Sequence, residues 1–398
     1  MTSTTEIPTS DAKSDFTDLI IVGVTAVALA FTTLLLCVMP LAKFAGGRDF
    51  VIYWATGQQL AHHADPYDKA GMGRIERAAG FPESAGILFM RNPPWDLLLT
   101  LPLGWIGVQA GAVIWSLTLA GCLVLSVRLL WRLHGRPGGC LHWIGISFIP
   151  ALLCLLMGQT SLFALLGYVL FLDLHERRPF VAGVSLWLCA LKPQLFLPIG
   201  VVLLAWILYS KRYRIMAGAA FALAASSAAV YCMDPTAWPD YAQMMRAAQI
   251  QHDHIPCISV ALRFWLRPES ARFNFLPAAL ACAWALGYFW LRRRTWDWMK
   301  DGSLIMLVSL ITAPYSWVYD DCLAIPSLLY GAYRARSRII IALLPLASAA
   351  MGVELLAGIK IPTYLFLWTA PVWLTWYLLA IRLAKVQTGG DLCTSIVK

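Results

Sequence analysis

Residues 158–214 decide the fold: GQTSLFALLGYVLFLDLHERRPFVAGVSLWLCALKPQLFLPIGVVLLAWILYSKRYR. Apolar runs at about 161–174, 180–191 and 194–209 alternate with the short polar connectors GQTS, HERR, KPQ and SKRYR. Two connectors carry basic clusters (Arg177 and Arg178; Lys211, Arg212 and Arg214) and two do not. Basic loops stay on the cytoplasmic side of a membrane, so this alternation reads as a chain crossing a bilayer back and forth. The runs are shorter than the ~20 residues of a straight membrane helix. Short runs point to tilted or broken helices lining a cavity, where irregular backbone is tolerated.

Outward from this stretch the pattern continues. Leu19 to Met39 is an uncharged run of 21 residues, long enough for a bilayer core of ~30 Å. Val108 to Leu130 is a second full span, closing on Arg128, Arg132 and Arg136. Further runs lie near 142–157, 214–232, 274–291, 302–318, 321–333, 338–356 and 362–384, with basic connectors LRRRTWDWMK and YRARSR and a close at Arg382 and Lys385. The run 94–106 is too short to cross and reads as re-entrant or interfacial. Keeping every arginine cluster inside requires about twelve crossings, with both termini cytoplasmic.

Composition agrees. Hydrophobic residues are 59% and charged residues 13% of the 398, with mean hydropathy +0.66. Soluble domains carry about 25% charged residues. The expected fold is therefore all-α, a polytopic transmembrane bundle of about ten to thirteen helices with a large first extracytoplasmic loop. A tail at 1–17, a single membrane domain at 18–385 holding the first loop at 46–93, and a tail at 386–398 are the expected divisions. The net charge of +9 sits in loop clusters, not on a nucleic-acid-binding face. The ten cysteines include no CxxC pair, so neither a disulfide framework nor a zinc site is implied. The N-terminus lacks a basic stretch before its apolar run, unlike a cleavable signal.

The same topology gathers the polar features on one face. Asp49 follows Arg48 and is set among Phe50, Tyr53 and Trp54 at a membrane boundary, the opening of a hydrophilic loop running to Asp68. A carboxylate there is either solvated, paired or used. Gln159 breaks two apolar runs, where a plain helix–helix turn is the competing reading. Lys192 lies in an otherwise apolar stretch before Pro193; such a lysine needs a partner, and phosphate is a natural one. Snorkelling to the headgroups is the alternative. The segment APYSWVYDD, 313–321, brings carboxylates and aromatics to one boundary, suited to sugar hydroxyls and ring faces, or to an ordinary interfacial turn. His62, His63, Asp65 and Asp68 match no standard zinc spacing. His252, Asp253 and His254 read as a solvated loop.

RDFVIYW (48–54), DPYD (65–68), RNPPWDLLLTLPLGWI (91–106), the block from Gln159 to Gln194, and APYSWVYDD together resemble glycosyltransferase family 87. The resemblance covers most of the chain from about Arg48 to Pro326. It implies GT-C architecture and an inverting transferase in the cytoplasmic (inner) membrane, multi-pass, with its site facing the periplasm or exterior. The implied donor is a sugar, mannose foremost, on a polyprenyl phosphate; the implied acceptor is an envelope glycolipid or glycan, in a setting of membrane lipids. The resemblance makes Asp49 the catalytic base. Arg48, Tyr53, Arg91, Gln159, Lys192, Gln194, Tyr315, Trp317, Tyr319 and Asp320 are the expected substrate-binding residues. The late segment departs from the family pattern, with Val318-Tyr319-Asp320 where many members carry histidine after SW. No cofactor is required; a divalent metal is compatible with the sequence but no ligand set is assigned. A multi-pass secondary transporter or lipid-linked-sugar flippase is the alternative from another class. The inverted repeats and paired broken helices common in transporters are not seen.

Overall fold

The computed structural model describes residues 47–81, 86–247, 255–359, 361 and 363–395 together with Gly23; for 47–48 and 384–395 it describes the backbone alone. Apart from Gly23, the apolar run 19–39 lies outside the described residues, as do the N-terminal tail and His252, Asp253 and His254. Every regular element among the described residues is helical.

The stretch from Arg48 to Asp68, expected to be loop, begins as a helix. Helix α1, Gly47–Ala61, carries Asp49 in its first turn, where a negative charge opposes the helix dipole favourably. Phe50, Val51, Tyr53, Trp54, Ala55 and Leu60 are all buried along it, and that burial outweighs the polarity that made the segment look like loop. After the turn DPYD, helix α2, Lys69–Ala78, is capped by the Asp68 side chain, which accepts from the backbone of Ala70 and Gly71. Asp65 accepts from the Tyr67 amide at 2.8 Å, so DPYD is a turn built by its two carboxylates.

The segment 94–105 is two 3-10 pieces flanking a single turn, α3 at Leu97–Thr100. It docks backbone to backbone on α1. A Cβ at Gly57 would stand 2.3 Å from the Thr100 carbonyl oxygen, and one at Gly104 would stand 2.1 Å from the Gly57 carbonyl oxygen. Only glycine permits this approach, which holds α1 against the bundle.

From there the chain is a run of long and broken helices. They are α4 Val108–Leu133, α5 Trp143–Ser147, α6 Ile149–Met157, α7 Ser161–Leu174, α8 Pro179–Ser185, α9 Leu197–Ser210 and α10 Tyr213–Met233. Next come α11 Ala237–Ala247, α12 Ile258–Leu266, α13 Leu276–Arg292, α14 Asp301–Thr312, α15 Ile325–Arg334, α16 Arg338–Leu356 and α17 Thr369–Ser395. Among the described residues, six stretches are long and apolar enough to cross a membrane: Val108–Leu133, Pro193–Ser210, Tyr213–Met233, Ala271–Arg292, Arg338–Leu356 and Tyr364–Leu383. Ser161–Leu174, Pro179–Leu191 and Asp301–Thr312 are apolar but shorter. The chain is thus a multi-pass helical bundle in which several apolar runs do not form single straight spans.

Proline marks two of the breaks. The run 142–157 splits at Phe148 before Ile149-Pro150, and the run after Arg178 unwinds into 3-10 turns around Lys192-Pro193. Proline lacks a backbone donor and so starts a helix more readily than it continues one, and Pro193 also denies Lys192 the α conformation. The short α7 packs on α4, and α6 packs on the 3-10 helix Val318–Ala324 that precedes α15. These short, buried elements surround the polar cluster described next.

Candidate functional site

Three breaks in the apolar bundle converge with helix α1. Gly158 ends α6 in the left-handed conformation, φ 70°, and turns the next residue, Gln159, inward. The Gly158 carbonyl accepts from Trp115 Nε1 of α4 at 2.7 Å, and the Gln159 carbonyl accepts from Cys154 Sγ at 3.4 Å, so the turn is held on both sides. Lys192 is held outside the α region (φ −134°, ψ 66°), as the residue before Pro193, between two 3-10 turns. Asp320 sits in the 3-10 helix following Trp317. Asp49 and Tyr53 stand one turn apart on the same face of α1.

The side chains form one continuous chain of hydrogen bonds. Gln159 Nε2 donates to Asp49 Oδ2 at 2.7 Å. Gln159 Oε1 accepts from Lys192 Nζ at 2.7 Å and from the Tyr53 hydroxyl at 3.4 Å. Lys192 Nζ donates again to Asp320 Oδ1 at 2.7 Å, which also accepts a short hydrogen bond from Ser161 Oγ. Asp320 Oδ2 accepts from the Trp317 amide at 2.9 Å. The Lys192 ammonium lies 5.1 Å from the centre of the Tyr319 ring, and Tyr319 stacks on Trp317 at 6.1 Å. The Gln159 amide has one serviceable orientation, with oxygen toward the ammonium and nitrogen toward the carboxylate.

Burial grades these groups. Asp320 is 1% exposed, Lys192 7%, Gln159 7% and Tyr53 4%, whereas Asp49 is half-buried. Lys192 and Asp320 balance each other as a desolvated ion pair, and buried charges persist when paired and hydrogen-bonded. The Asp49 carboxylate lies at the more open edge of the cluster. A half-open carboxylate oriented by an amide is chemically able to accept a proton from a hydroxyl within hydrogen-bond reach.

Asp49, Tyr53, Gln159, Lys192, Tyr319 and Asp320 are therefore together, and Trp317 joins them through its amide and ring. The backbone of Arg48 lies in α1, but its side chain is outside the described residues. Tyr315 packs with Trp317 against a small separate cluster of Ile255, Cys257 and Val260. Arg91 lies over the Phe89 ring at 4.8 Å. Gln194 is half-buried two residues past Lys192, and no hydrogen bond ties it to the cluster among the described residues. Of the neighbouring carboxylates, Asp321 turns away and accepts from Trp373 Nε1 of α17 at 3.0 Å.

Four contributors are not singled out from the sequence. Ser161 had a signal, its place in GQTS, whereas Trp115 looks like any residue of an apolar span. Asp96 is fully buried and accepts a short hydrogen bond from Asn92, and Trp95 beside it donates to the Ala190 carbonyl at 3.0 Å. That contact ties the 94–105 segment to the strand of chain leading into Lys192. Among the described residues no group of three or more histidines, cysteines or carboxylates is placed to hold a metal ion. His62 Nδ1 lies 2.8 Å from the Gln58 carbonyl oxygen, and Asp65 and Asp68 serve the turn and the α2 cap.

A multi-pass helical membrane protein with an acid–amide–lysine–acid chain inside its bundle is the class that these observations define. The model of glycosyltransferase family 87 matches residues 89–316, more than half of the chain, and the chain belongs to that family. It is a membrane glycosyltransferase, with a sugar donor and an acceptor as substrates. The matched region includes Gln159, Ser161 and Lys192; Asp49 lies before it, and Trp317 and Asp320 lie just after it. No curated protein and no solved structure matches the chain.

Proposed function

We propose that this glycosyltransferase moves a hexose, mannose foremost, from a polyprenyl-phosphate donor to an envelope glycolipid or glycan at the extracytoplasmic face of the membrane. The observation that carries the reading is the Asp49 carboxylate held by Gln159 Nε2 at 2.7 Å, half-open on one side and continuous on the other with the Lys192–Asp320 pair.

In this mechanism Asp49 takes the proton of the acceptor hydroxyl as its oxygen attacks the anomeric carbon. The bond from that carbon to the phosphate oxygen breaks, and polyprenyl phosphate leaves with the electron pair. One displacement inverts the anomeric configuration. Gln159 fixes the orientation of the base, and Lys192 fixes Gln159. The ammonium has three N–H donors, two of them directed at Gln159 and Asp320; the third is offered to the phosphate, with Arg91 as a second cation. Preorganised positive charge at a leaving oxyanion is an effective form of transition-state stabilisation. Tyr319 and Trp317 supply ring faces for the sugar, and the scheme requires no cofactor.

The test is transfer by the purified protein in proteoliposomes, using a panel of polyprenyl-phosphate sugars and envelope glycolipids, with products read by mass spectrometry. Asp49→Asn is expected to lower turnover by ~10²–10⁴, the usual contribution of a general base, without altering thermal stability. Full activity in that variant would dismiss Asp49 as the base. Flux of the lipid-linked sugar without a new glycosidic bond would favour a flippase.

A further inference from the structure

A lateral groove of about 870 Å³ opens between the last turns of α9 and α13. Its walls are Leu208 and Tyr209 on one helix and Leu286, Phe289, Trp290 and Leu291 on the other. Several of these are openly exposed: Trp290 61%, Leu291 85%, Leu208 52% and Tyr209 46%. Such a surface is stable only against hydrocarbon. Most of the groove is apolar, but its mouth is not. The Arg293 guanidinium lies 4.2 Å from the Trp290 ring centre and 6.0 Å from that of Tyr209. Lys211 closes α9 and Arg294 follows Arg293, both exposed.

The acids at this end are already engaged. Glu176 pairs with Arg212 at 2.7 Å, Asp301 pairs with Arg292 at 2.8 Å, and Asp297 accepts from the amides of Met299 and Lys300. Arg293, Arg294 and Lys211 have no ion-pair partner among the described residues. An apolar trough with aromatic edges and unbalanced cations at its rim is complementary to a lipid carrying a negative headgroup.

We infer that this groove binds an anionic phospholipid, with acyl chains between α9 and α13 and the phosphate on Arg293. The occupant is a bulk membrane lipid and not the sugar donor. The groove mouth lies at the far end of α9 from the Lys192 cluster, ~20 Å away at 1.5 Å per helical residue. A single phosphate cannot reach both ends at once. The arginine clusters place this end at the cytoplasmic leaflet by the positive-inside pattern.

The experiment is native mass spectrometry of the full chain in detergent, titrated separately with phosphatidylglycerol, phosphatidylcholine and polyprenyl phosphate. Two variants accompany the wild type. Arg293→Gln removes the charge; Gly287→Trp fills the groove at a glycine whose Cβ would meet nothing within 4 Å. Wild type should retain phosphatidylglycerol about fivefold more than phosphatidylcholine, the effect expected of one basic residue on an anionic headgroup. Arg293→Gln should erase that preference, and Gly287→Trp should lower retention of both phospholipids, each with its melting temperature kept. Equal retention of the two phospholipids by wild type would overturn the inference. So would an undiminished preference in Arg293→Gln, or retention of polyprenyl phosphate that depends on Arg293 while phosphatidylglycerol does not.

Discussion

Replacing Asp320 by asparagine keeps the size of the side chain and removes its charge. In the native bundle Lys192 Nζ lies 2.7 Å from Asp320 Oδ1, with side-chain exposures of 8% and 2%. The variant therefore strands an ammonium in an apolar interior, its remaining fixed acceptor being Gln159 Oε1. Removing one partner of a buried pair costs ~3–5 kcal/mol, mostly the penalty of the uncompensated charge. For a chain of this size that corresponds to a fall in melting temperature on the order of 5–10 °C. The double variant Lys192→Met, Asp320→Asn removes both charges and should regain most of the loss, since an apolar replacement of a buried pair is often neutral. Activity should not return with it. Gln159 would lose the ammonium that holds its oxygen, and Asp49 the fixed amide that orients it. A thiol-reactive dye provides the assay, because Cys154, Cys189 and Cys322 are buried and become reactive on unfolding, over a constant background from exposed Cys232. An unchanged melting temperature in Asp320→Asn, or a double variant as unstable as the single one, would refute the account of a desolvated, mutually dependent pair.

Two further perturbations test the scaffold. Gly57→Ala should destabilise by ~1–3 kcal/mol as an overpacked contact and lower transfer activity, because its Cβ would meet the Thr100 carbonyl oxygen at 2.3 Å; Gly121→Ala, with nothing within 4 Å, is the neutral control in the same melting assay. His134, just past the end of α4, lies 4.6 Å from the Tyr333 ring centre, and burial with Arg334 nearby pushes its pKa down to about 4. The unfolded chain takes up that proton near pH 6.5 and the folded one only near 4, so this contribution to stability is complete above pH 6.5 and lost as pH falls toward 4. His134→Phe should flatten that part of the pH–melting profile, and an identical slope in the variant would remove His134 as its source.

Much of the architecture was legible in the sequence because the bilayer imposes it residue by residue. Long uncharged runs and basic connectors report membrane helices without reference to anything distant, and Pro193 foretells the break beside Lys192. Gln159 and Lys192 were legible too, since a polar residue inside an apolar run is conspicuous. The helical state of Gly47–Ala61 was not, because its polar residues suggested loop while its stability comes from packing against segments up to 50 or more residues away, such as Gly104 and Trp115. Nor does the sequence separate Asp320 from Asp321. Adjacent positions in a 3-10 helix point in different directions, so one carboxylate meets Lys192 and the other meets Trp373.

By itself, then, the chain determined that it is a multi-pass helical membrane protein with polar interruptions at fixed places, because hydrophobic transfer and loop charge are local properties. Tertiary structure decided which interruptions meet. Partners of Lys192 stand 33 and 128 positions away along the chain, and that of Asp49 stands 110 away. Distances of that kind are set by how α1, the Gly158 turn, the Lys192 break and the Trp317–Asp320 turn pack, where burying a charge demands a partner and the fold supplies one.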